Sequence, residues 1–342
     1  GDVIWQAGSG SSAPIMLWDG TNASQIGTGE IPRLDGSTAV WQGSGGLVYW
    51  NGATHTVLAS STAGYEIAPV NGQVAWSQWD PDITLNRAYF WDGTFDGGDP
   101  HIEPLGPDSG ESAPSVRSGR VVWGGWDGND GEIGLWDGTN IQYITDDTAD
   151  DYGPVWVGEN KIAWMGGPSA GYAVMLWDNG SVSQIHPSGS NLFSDGDELC
   201  WLASDADGPQ VFYWDGSGVW QITSGASKTL KGPVVSDGRV AWLERISGIY
   251  EVFAWDGTTT YRVTNREGMN DGVRISGPHL TWQQEVGGTY FDRTDGEIMH
   301  TQFPEPATTV MLGLGLSGLW WRRRSHDHTD ADGAKSETRT GT

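Results

Sequence analysis

A pair of segments that each end in tryptophan recurs along nearly the whole chain of 342 residues. The first segment of the pair ends at Trp5, Trp41, Trp76, Trp123, Trp164, Trp201, Trp242 and Trp282. The second ends, usually 13 residues later, in Trp-Asp-Gly or a close variant, at Trp18, Trp50, Trp91, Trp136, Trp177, Trp214 and Trp255. The first tryptophans follow one another at steps of 35 to 47 residues. A period near 40 residues with strand character is typical of radially repeated four-stranded sheets, so the repeat predicts an all-β fold, a β-propeller.

The fourth unit shows how one repeat divides into strands. Short runs at 113–116, 120–123, 132–136 and 141–145 are rich in β-branched and aromatic residues and are bounded by Gly, Asp, Asn and Pro. Asp-Gly follows the third run in most units, and this dipeptide favours tight hairpin turns. We therefore interpret these aspartates as turn formers and not as catalytic acids. They are Asp19, Asp92, Asp137, Asp215 and Asp256.

The number of second strands sets the expected number of blades. Eight such strands predict eight blades of four strands each, and seven blades plus a partial unit is the alternative. The first unit lacks a first strand, and no fourth strand follows in the eighth unit before Pro304. With three strands at each end, two ways of closing the ring are possible. The terminal strands either share one blade or form two separate blades.

The tryptophans fall into two groups. Those that recur at equivalent positions are expected to pack between neighbouring blades, because an isolated blade cannot bury its flat faces. Four others depart from the repeat, and we regard them as candidates for stacking on a ligand. They are Trp79, Trp126, Trp156 and Trp220.

The charge of the chain bears on possible partners. The net charge is −26, and 18 − 5 = 13 basic against 44 − 4 = 40 acidic residues leaves −27 once the tail after Trp321 is set aside. Such a body repels phosphate backbones, so nucleic acid is not an expected partner. No His/Cys cluster has zinc spacing. Acidic hairpins are weak Ca²⁺ candidates, although hairpin turns also explain them, and no other cofactor is expected. These candidates are Asp127, Asp130, Asp205, Asp207, Asp292 and Asp295.

Two blocks carry a resemblance to a known fold family. Residues 126–136 and 204–214 each contain an Asp-Gly hairpin followed by a strand with an aromatic end, and later strands end in Ile-Thr or Val-Thr at Thr145, Thr223 and Thr264. This pattern over 1–303 resembles TolB-like, WD-repeat-like propellers. The resemblance implies a protein-binding platform. Similar blades also occur in some peptidases, where they accompany a separate hydrolase domain.

The C-terminal region predicts export. A Pro-Glu-Pro motif, an apolar stretch at 307–321 and an arginine cluster follow one another, and the order resembles a PEP-CTERM sorting signal. The residues are Pro304, Glu305, Pro306, Arg322, Arg323 and Arg324. The resemblance implies processing by an exosortase-type membrane protease. The apolar stretch would form a helix of about 22 Å, short of a bilayer core of about 30 Å. It suits transient insertion in the membrane, and a permanent tail anchor is the alternative.

Three segments and three functions follow as expectations. We predict a propeller at 1–303, a sorting segment with a short apolar helix at 304–324 and a disordered polar tail at 325–342. The chain begins at Gly1, and an export signal is expected to have been removed. We predict a non-enzymatic module of the cell surface or extracellular matrix that binds polysaccharide or protein. The alternatives are a polysaccharide lyase or hydrolase with carboxylates in the channel, and a periplasmic TolB-like docking platform.

Overall fold

The computed structural model describes residues 2–60, 67–82, 85–105, 114–167, 172–226, 229–265, 268–285 and 296–303. These residues form thirty β-strands in eight antiparallel sheets, each of which is one blade. The predicted eight-bladed β-propeller is confirmed. The predicted C-terminal helix and tail lie outside the described residues, as does the arginine cluster. Within the described residues, no helix has the length and apolar character needed to cross a membrane.

The strands are numbered in chain order. Blade 1 contains β1 (Val3–Gln6), β2 (Pro14–Trp18) and β3 (Ala23–Thr28). Blade 2 contains β4 (Glu30–Asp35), β5 (Thr38–Gly43), β6 (Gly46–Trp50) and β7 (His55–Ala59). Blade 3 contains β8 (Ile67–Val70), β9 (Gln73–Asp80), β10 (Leu85–Asp96) and β11 (Asp99–Leu105). Blade 4 contains β12 (Ser115–Arg117), β13 (Arg120–Trp126), β14 (Gly131–Trp136) and β15 (Ile141–Tyr143).

The second half repeats this plan. Blade 5 contains β16 (Tyr152–Val157), β17 (Lys161–Gly166), β18 (Ala173–Asp178) and β19 (Ser181–His186). Blade 6 contains β20 (Ser190–Asp195), β21 (Glu198–Asp205), β22 (Gly208–Trp214) and β23 (Val219–Gln221). Blade 7 contains β24 (Leu230–Ser236), β25 (Arg239–Ile246), β26 (Ile249–Trp255) and β27 (Thr260–Arg262). Blade 8 contains β28 (Asn270–Ser276), β29 (His279–Glu285) and β30 (Gly296–Gln302).

The two terminal blades have three strands each. Blade 1 starts at the second-strand position, because β1 carries Trp5, and blade 8 stops at its third strand, β30. No described strand of one terminal blade pairs with the sheet of the other. As far as the described strands show, the ring therefore closes without a shared blade. Side chains meet there instead, with the ring centroids of Trp18 and His300 6.2 Å apart.

The core lies between the blades. Seven clusters of buried hydrophobic residues each combine side chains of two consecutive blades, from the interface of blades 1 and 2 to that of blades 7 and 8. In one of them, Leu135 of blade 4 packs with Trp164 of blade 5. The first tryptophans of blades 2 to 7 are at most 2% exposed. The predicted packing role is confirmed for these six tryptophans.

A bulge recurs in the first strand of several blades. One position there takes a left-handed backbone with φ of 53° to 63°, and the pairing register shifts across it. Gly and Asn adopt this conformation readily, whereas a β-branched residue is strained in it. The position is occupied by Gly153, Asn191, Gly232 and Gly272, and by Ile31 in blade 2.

Candidate functional site

The antiparallel order of the strands places two kinds of connection at one end of the propeller. The connection from second to third strand and the connection to the next blade share this end, which we call the upper rim. In blade 4 it contains residues 127–130 and 144–151. The opposite end carries the Asp-Gly turns after the third strands.

Two of the candidate tryptophans, Trp79 and Trp126, lie on the upper rim in adjacent blades. Each stands three residues after the first tryptophan of its blade, at the end of β9 and β13 respectively. Trp79 is 56% exposed and Trp126 is 46% exposed. An exposed indole at this level is a large apolar surface that folding leaves uncovered. The two residues form an equivalent pair across neighbouring blades.

The residue after each of these tryptophans is an aspartate that accepts several hydrogen bonds. Asp80 receives hydrogen bonds from Tyr89 Oη at 3.0 Å and from the backbone N–H of Asp82 at 2.9 Å, and it pairs with Arg87 at 2.9 Å. Asp127 Oδ1 accepts the N–H groups of the residues two and three positions later, at 2.7 and 3.1 Å. Each indole therefore adjoins an aspartate that hydrogen bonds hold in place, which lowers the entropy cost of binding.

The other two tryptophan candidates lie elsewhere. Trp220 is 42% exposed on β23, the outer strand of blade 6, where its ring lies 5.9 Å from that of Tyr213. Trp156 is only 2% exposed, and its indole N–H donates to the carbonyl of Ser115 at 2.9 Å. The guanidinium of Arg120 covers its ring at 4.7 Å. The expectation for Trp156 is corrected, because it packs between blades 4 and 5 and offers no face to a ligand.

The acidic candidates separate in the same way. Carboxylate oxygens of Asp127, Glu132 and Asp146 lie within 4.8 Å of one another on the upper rim of blade 4. Glu132 and Asp146 were not predicted, although a glutamate within the otherwise apolar third strand was a visible signal. Asp130 is buried beside this group. The second pair of candidates, Asp205 and Asp207, lies in the corresponding hairpin of blade 6.

Amide donors satisfy Asp205 of blade 6. Its carboxylate accepts hydrogen bonds from Gln221 Nε2 at 2.8 Å and from the N–H of Asp207 at 2.8 Å. These bonds stabilise its charged form and lower its pKa, and among the described residues Asp205 and Asp207 do not belong to a group of three carboxylates close enough to share an ion. Asp292 and Asp295 lie outside the described residues. Of the acidic hairpins, blade 4 is therefore the one whose described residues could hold a metal ion.

Burial and mutual repulsion shape the electrostatics of blade 4. Burial raises the pKa of Glu132 above its usual range, against the effect of the Thr145 hydroxyl. Asp151 is 5% exposed, and burial followed by the negative charges of Asp147 and Glu132 raises its pKa to about 7. The pKa of Asp127 is lowered by the hydrogen bonds that its carboxylate accepts from the backbone N–H groups of Asn129 and Asp130. The cluster thus combines exposed Asp127, whose charged form is favoured, with buried Glu132, whose charged form is disfavoured.

The first strands of the blades, which line the channel, are mixed in charge. Lys231 Nζ pairs with Asp271 Oδ1 at 2.7 Å. Burial lowers the pKa of Arg33 in blade 2, and the positive charge of Arg274 in blade 8 lowers it further. The described first strands contain four basic and four acidic residues: Arg33, Arg117, Lys231, Arg274, Glu30, Asp35, Asp195 and Asp271. The channel wall is therefore less acidic than the body as a whole.

Comparison with solved structures finds the same fold in distant proteins. The β-propeller domain of the Trilobed protease from Pyrococcus furiosus, described as having an open velcro topology, matches with a TM-score of 0.57 and 11% identity over 81% of this chain and 95% of that chain. An acylaminoacyl peptidase from Pyrococcus horikoshii matches with a TM-score of 0.55 and 13% identity over 83% of this chain.

This chain covers just over half, 56%, of the acylaminoacyl peptidase from Pyrococcus horikoshii. The computationally designed protein Ika8 matches with a TM-score of 0.57 and 14% identity, over 88% of this chain and 93% of that chain. No protein-family model and no curated protein sequence matches this chain. At these identities the similarity establishes the propeller fold alone.

Proposed function

We propose that this protein is an exported, non-enzymatic propeller that binds a polysaccharide on its upper rim through Trp79 and Trp126. The observation that carries the proposal is the exposure of two indoles at equivalent positions in adjacent blades, 56% and 46%. Single exposed hydrophobic residues are common on proteins, but a pair at equivalent positions of adjacent blades is a surface suited to a repeating ligand. A polymer of sugar units offers repeated apolar faces, which suits two exposed indoles.

The charge of the body favours a neutral polysaccharide over an acidic one. By the count of acidic and basic residues, the chain before the tail has a net charge of about −27 at neutral pH. An acidic polymer would meet repulsion over most of this surface, whereas a neutral one would not. Stacking on the apolar faces of Trp needs no charge on the ligand. A protein partner is the alternative occupant of the same rim.

Export and processing belong to the same proposal and are supported by sequence alone. Pro304, Glu305 and Pro306 precede an apolar stretch and the cluster Arg322–Arg324. Basic residues tend to keep their end of a membrane segment on the cytoplasmic side, which would leave the propeller outside. In a host with the sorting protease, replacing Pro304 and Glu305 by Ala should leave the chain unprocessed, as seen on a gel. Processing that survives this change would contradict the sorting role.

The binding proposal is tested with the full chain and a panel of soluble neutral polysaccharides. Affinity electrophoresis and isothermal titration calorimetry should find a ligand whose binding weakens in Trp79→Ala and in Trp126→Ala. We expect each change to weaken binding by roughly tenfold, or about 1.4 kcal/mol. Trp220→Ala is the matched control, because Trp220 has similar exposure on the outer strand of blade 6.

Three results would count against the proposal. Equal losses in the control variant would show that the effect does not come from the upper rim. Failure of every glycan to bind, together with capture of a protein that requires Trp126, would favour a protein partner. New reducing ends or unsaturated sugars would identify an enzyme instead.

A further inference from the structure

One position of the repeat buries a polar side chain in blades 4, 6 and 7. It lies four residues before the second tryptophan and is occupied by Glu132, Gln210 and Glu251, each at most 1% exposed. In all three blades, a threonine hydroxyl 13 residues later accepts a hydrogen bond from the backbone N–H of the residue that follows this polar position, at 2.8 to 2.9 Å. The three blades are thus three versions of one local structure, and they can be compared directly.

Blades 6 and 7 each provide a partner for this buried group. In blade 7, Arg262 Nη2 lies 2.9 Å from Glu251 Oε1 and neutralises it. In blade 6 the residue is a neutral amide, and Gln210 donates to the carbonyl of Gly225 at 3.1 Å and accepts from Thr223 Oγ1 at 2.8 Å. A buried charge is tolerated when it is paired, and a neutral amide needs only hydrogen bonds.

Blade 4 keeps the charge of blade 7 but lacks its cation. The strand register that places Arg262 opposite Phe253 places Tyr143 opposite Gly134. Among the described residues, no basic side chain forms an ion pair with Glu132. Its Oε1 accepts the N–H of Asp147 at 3.0 Å, but its Oε2 is buried without a hydrogen-bond partner.

More carboxylates gather where the arginine is missing. Oxygens of Asp127 and Asp146 lie within 4.8 Å of an oxygen of Glu132. Asp130, which is 6% exposed, also has a buried Oδ2 without a hydrogen-bond partner. Like charges at this separation repel one another, and burial strengthens the repulsion. The geometry is that of a site built for a positive charge that the chain itself does not supply.

We propose that blade 4 binds a Ca²⁺ ion through Asp127, Glu132 and Asp146, in place of the arginine of blade 7. All three ligands are carboxylates, which hard cations prefer, and no His or Cys belongs to the group. Two oxygens on one Ca²⁺, each about 2.4 Å from the ion, can be separated by up to about 4.8 Å. The oxygens of the cluster all lie within 4.8 Å of one another and so stay inside this limit. Mg²⁺ demands near-ideal octahedral geometry at about 2.1 Å and gives up its water reluctantly, so a group of three carboxylates suits Ca²⁺ better.

The test is calorimetric titration of the chelator-treated full chain with CaCl2, with MgCl2 as the comparison ion. We expect one Ca²⁺ per chain and weaker binding of Mg²⁺. Glu132→Gln copies the amide that blade 6 already uses, and Asp146→Asn changes an exposed residue, so both variants should fold. Each should weaken Ca²⁺ binding by roughly tenfold or more, because the ligand charge is reduced. Asp205→Asn, in the equivalent hairpin of blade 6, should leave binding unchanged.

Thermal unfolding provides a second readout. Ca²⁺ should raise the Tm of the unchanged chain and should have little effect on Glu132→Gln. In chelator, Glu132→Gln should unfold at a higher temperature than the unchanged chain, because it removes a buried, unpaired charge. Absence of Ca²⁺ binding, or binding that neither Glu132→Gln nor Asp146→Asn weakens, would overturn the proposal. The polysaccharide proposal would be unaffected, since it is tested separately through Trp79 and Trp126.

Discussion

Single aspartates show how a sequence turn signal becomes a hydrogen-bonded structure. After the third strands, Oδ1 of Asp137 accepts the N–H groups of the residues two and three positions later, at 2.8 and 2.7 Å. Asp19 does the same, and so does Asn51 in blade 2. Such side chains replace a backbone turn partner. The predicted role of the Asp-Gly aspartates as turn formers is confirmed by these bonds.

Asp256 provides a prediction at this scale. Burial alone would raise its pKa, but the N–H groups of Thr259 and Thr258 and the Tyr261 hydroxyl lower it to about 2. A lowered folded-state pKa stabilises the protein above the unfolded value, near 3.9, and that stabilisation is lost as the pH falls towards 2. Asp256→Ala should lower the free energy of unfolding at pH 7 by about 1 to 2 kcal/mol, as measured by urea unfolding.

The matched variant is Asp256→Asn, since Asn51 makes the same turn in blade 2. This variant should keep most of the free energy of unfolding at pH 7. Between pH 4 and pH 2, its free energy of unfolding should fall less than that of the unchanged chain. An equal acid sensitivity of the two proteins would show that Asp256 does not contribute to it.

At the scale of the strand, equivalent third strands pack in the same way but balance their buried polar residue differently. The third strands β14, β22 and β26 share an apolar pattern and one buried polar position, yet each balances that position differently. In β26 the partner is Arg262 on the neighbouring strand β27. Because Glu251 is 0% exposed, its charge depends on that partner.

Breaking this pair should therefore destabilise blade 7. Arg262→Gln is expected to lower the free energy of unfolding by about 2 to 4 kcal/mol, because it leaves a buried carboxylate without its cation. Adding Glu251→Gln reproduces the pair Gln210 and Gln221 of blade 6 and should restore most of the loss. Chemical denaturation of the single and double variants measures both effects. A double variant as unstable as Arg262→Gln would contradict the charge explanation.

At the scale of the whole propeller, the closing interface differs from the other seven. Each pair of consecutive blades from 1 to 8 shares a buried hydrophobic cluster. Among the described residues, no such cluster joins blade 8 to blade 1, where Trp18 meets His300. Repeat proteins gain stability from each neighbour interface, so the terminal blades have the weakest support.

This difference predicts where the ring opens first. Backbone amides of β1–β3 and of β28–β30 should exchange hydrogen faster than those of β16–β27, as measured by native-state exchange with mass spectrometry. Blades 5 and 6 provide the internal control, because a hydrophobic cluster supports each of them on both sides. Uniform exchange around the ring would show that the closing interface is as stable as the others.

The local repeat was enough to predict the architecture. The spacing of Trp123 and Trp136 and the Asp-Gly turns report on strands and hairpins, which depend on residues close together in the chain. The number of blades and the three-stranded terminal units followed from counting that repeat. Trp79 and Trp126 were recognisable because they stand outside it.

Other properties depend on neighbours that the sequence does not identify. Trp156 is buried because Arg120 and the carbonyl of Ser115 cover it from the preceding blade. Glu132 meets Asp146 because the connection to the next blade returns to the hairpin that holds Asp127. Burial and pairing are set by chain segments that come together only in the fold, whereas strand and turn formation are set locally. The repeat by itself therefore determined the propeller, and the tertiary structure decided which of its polar residues lack a partner.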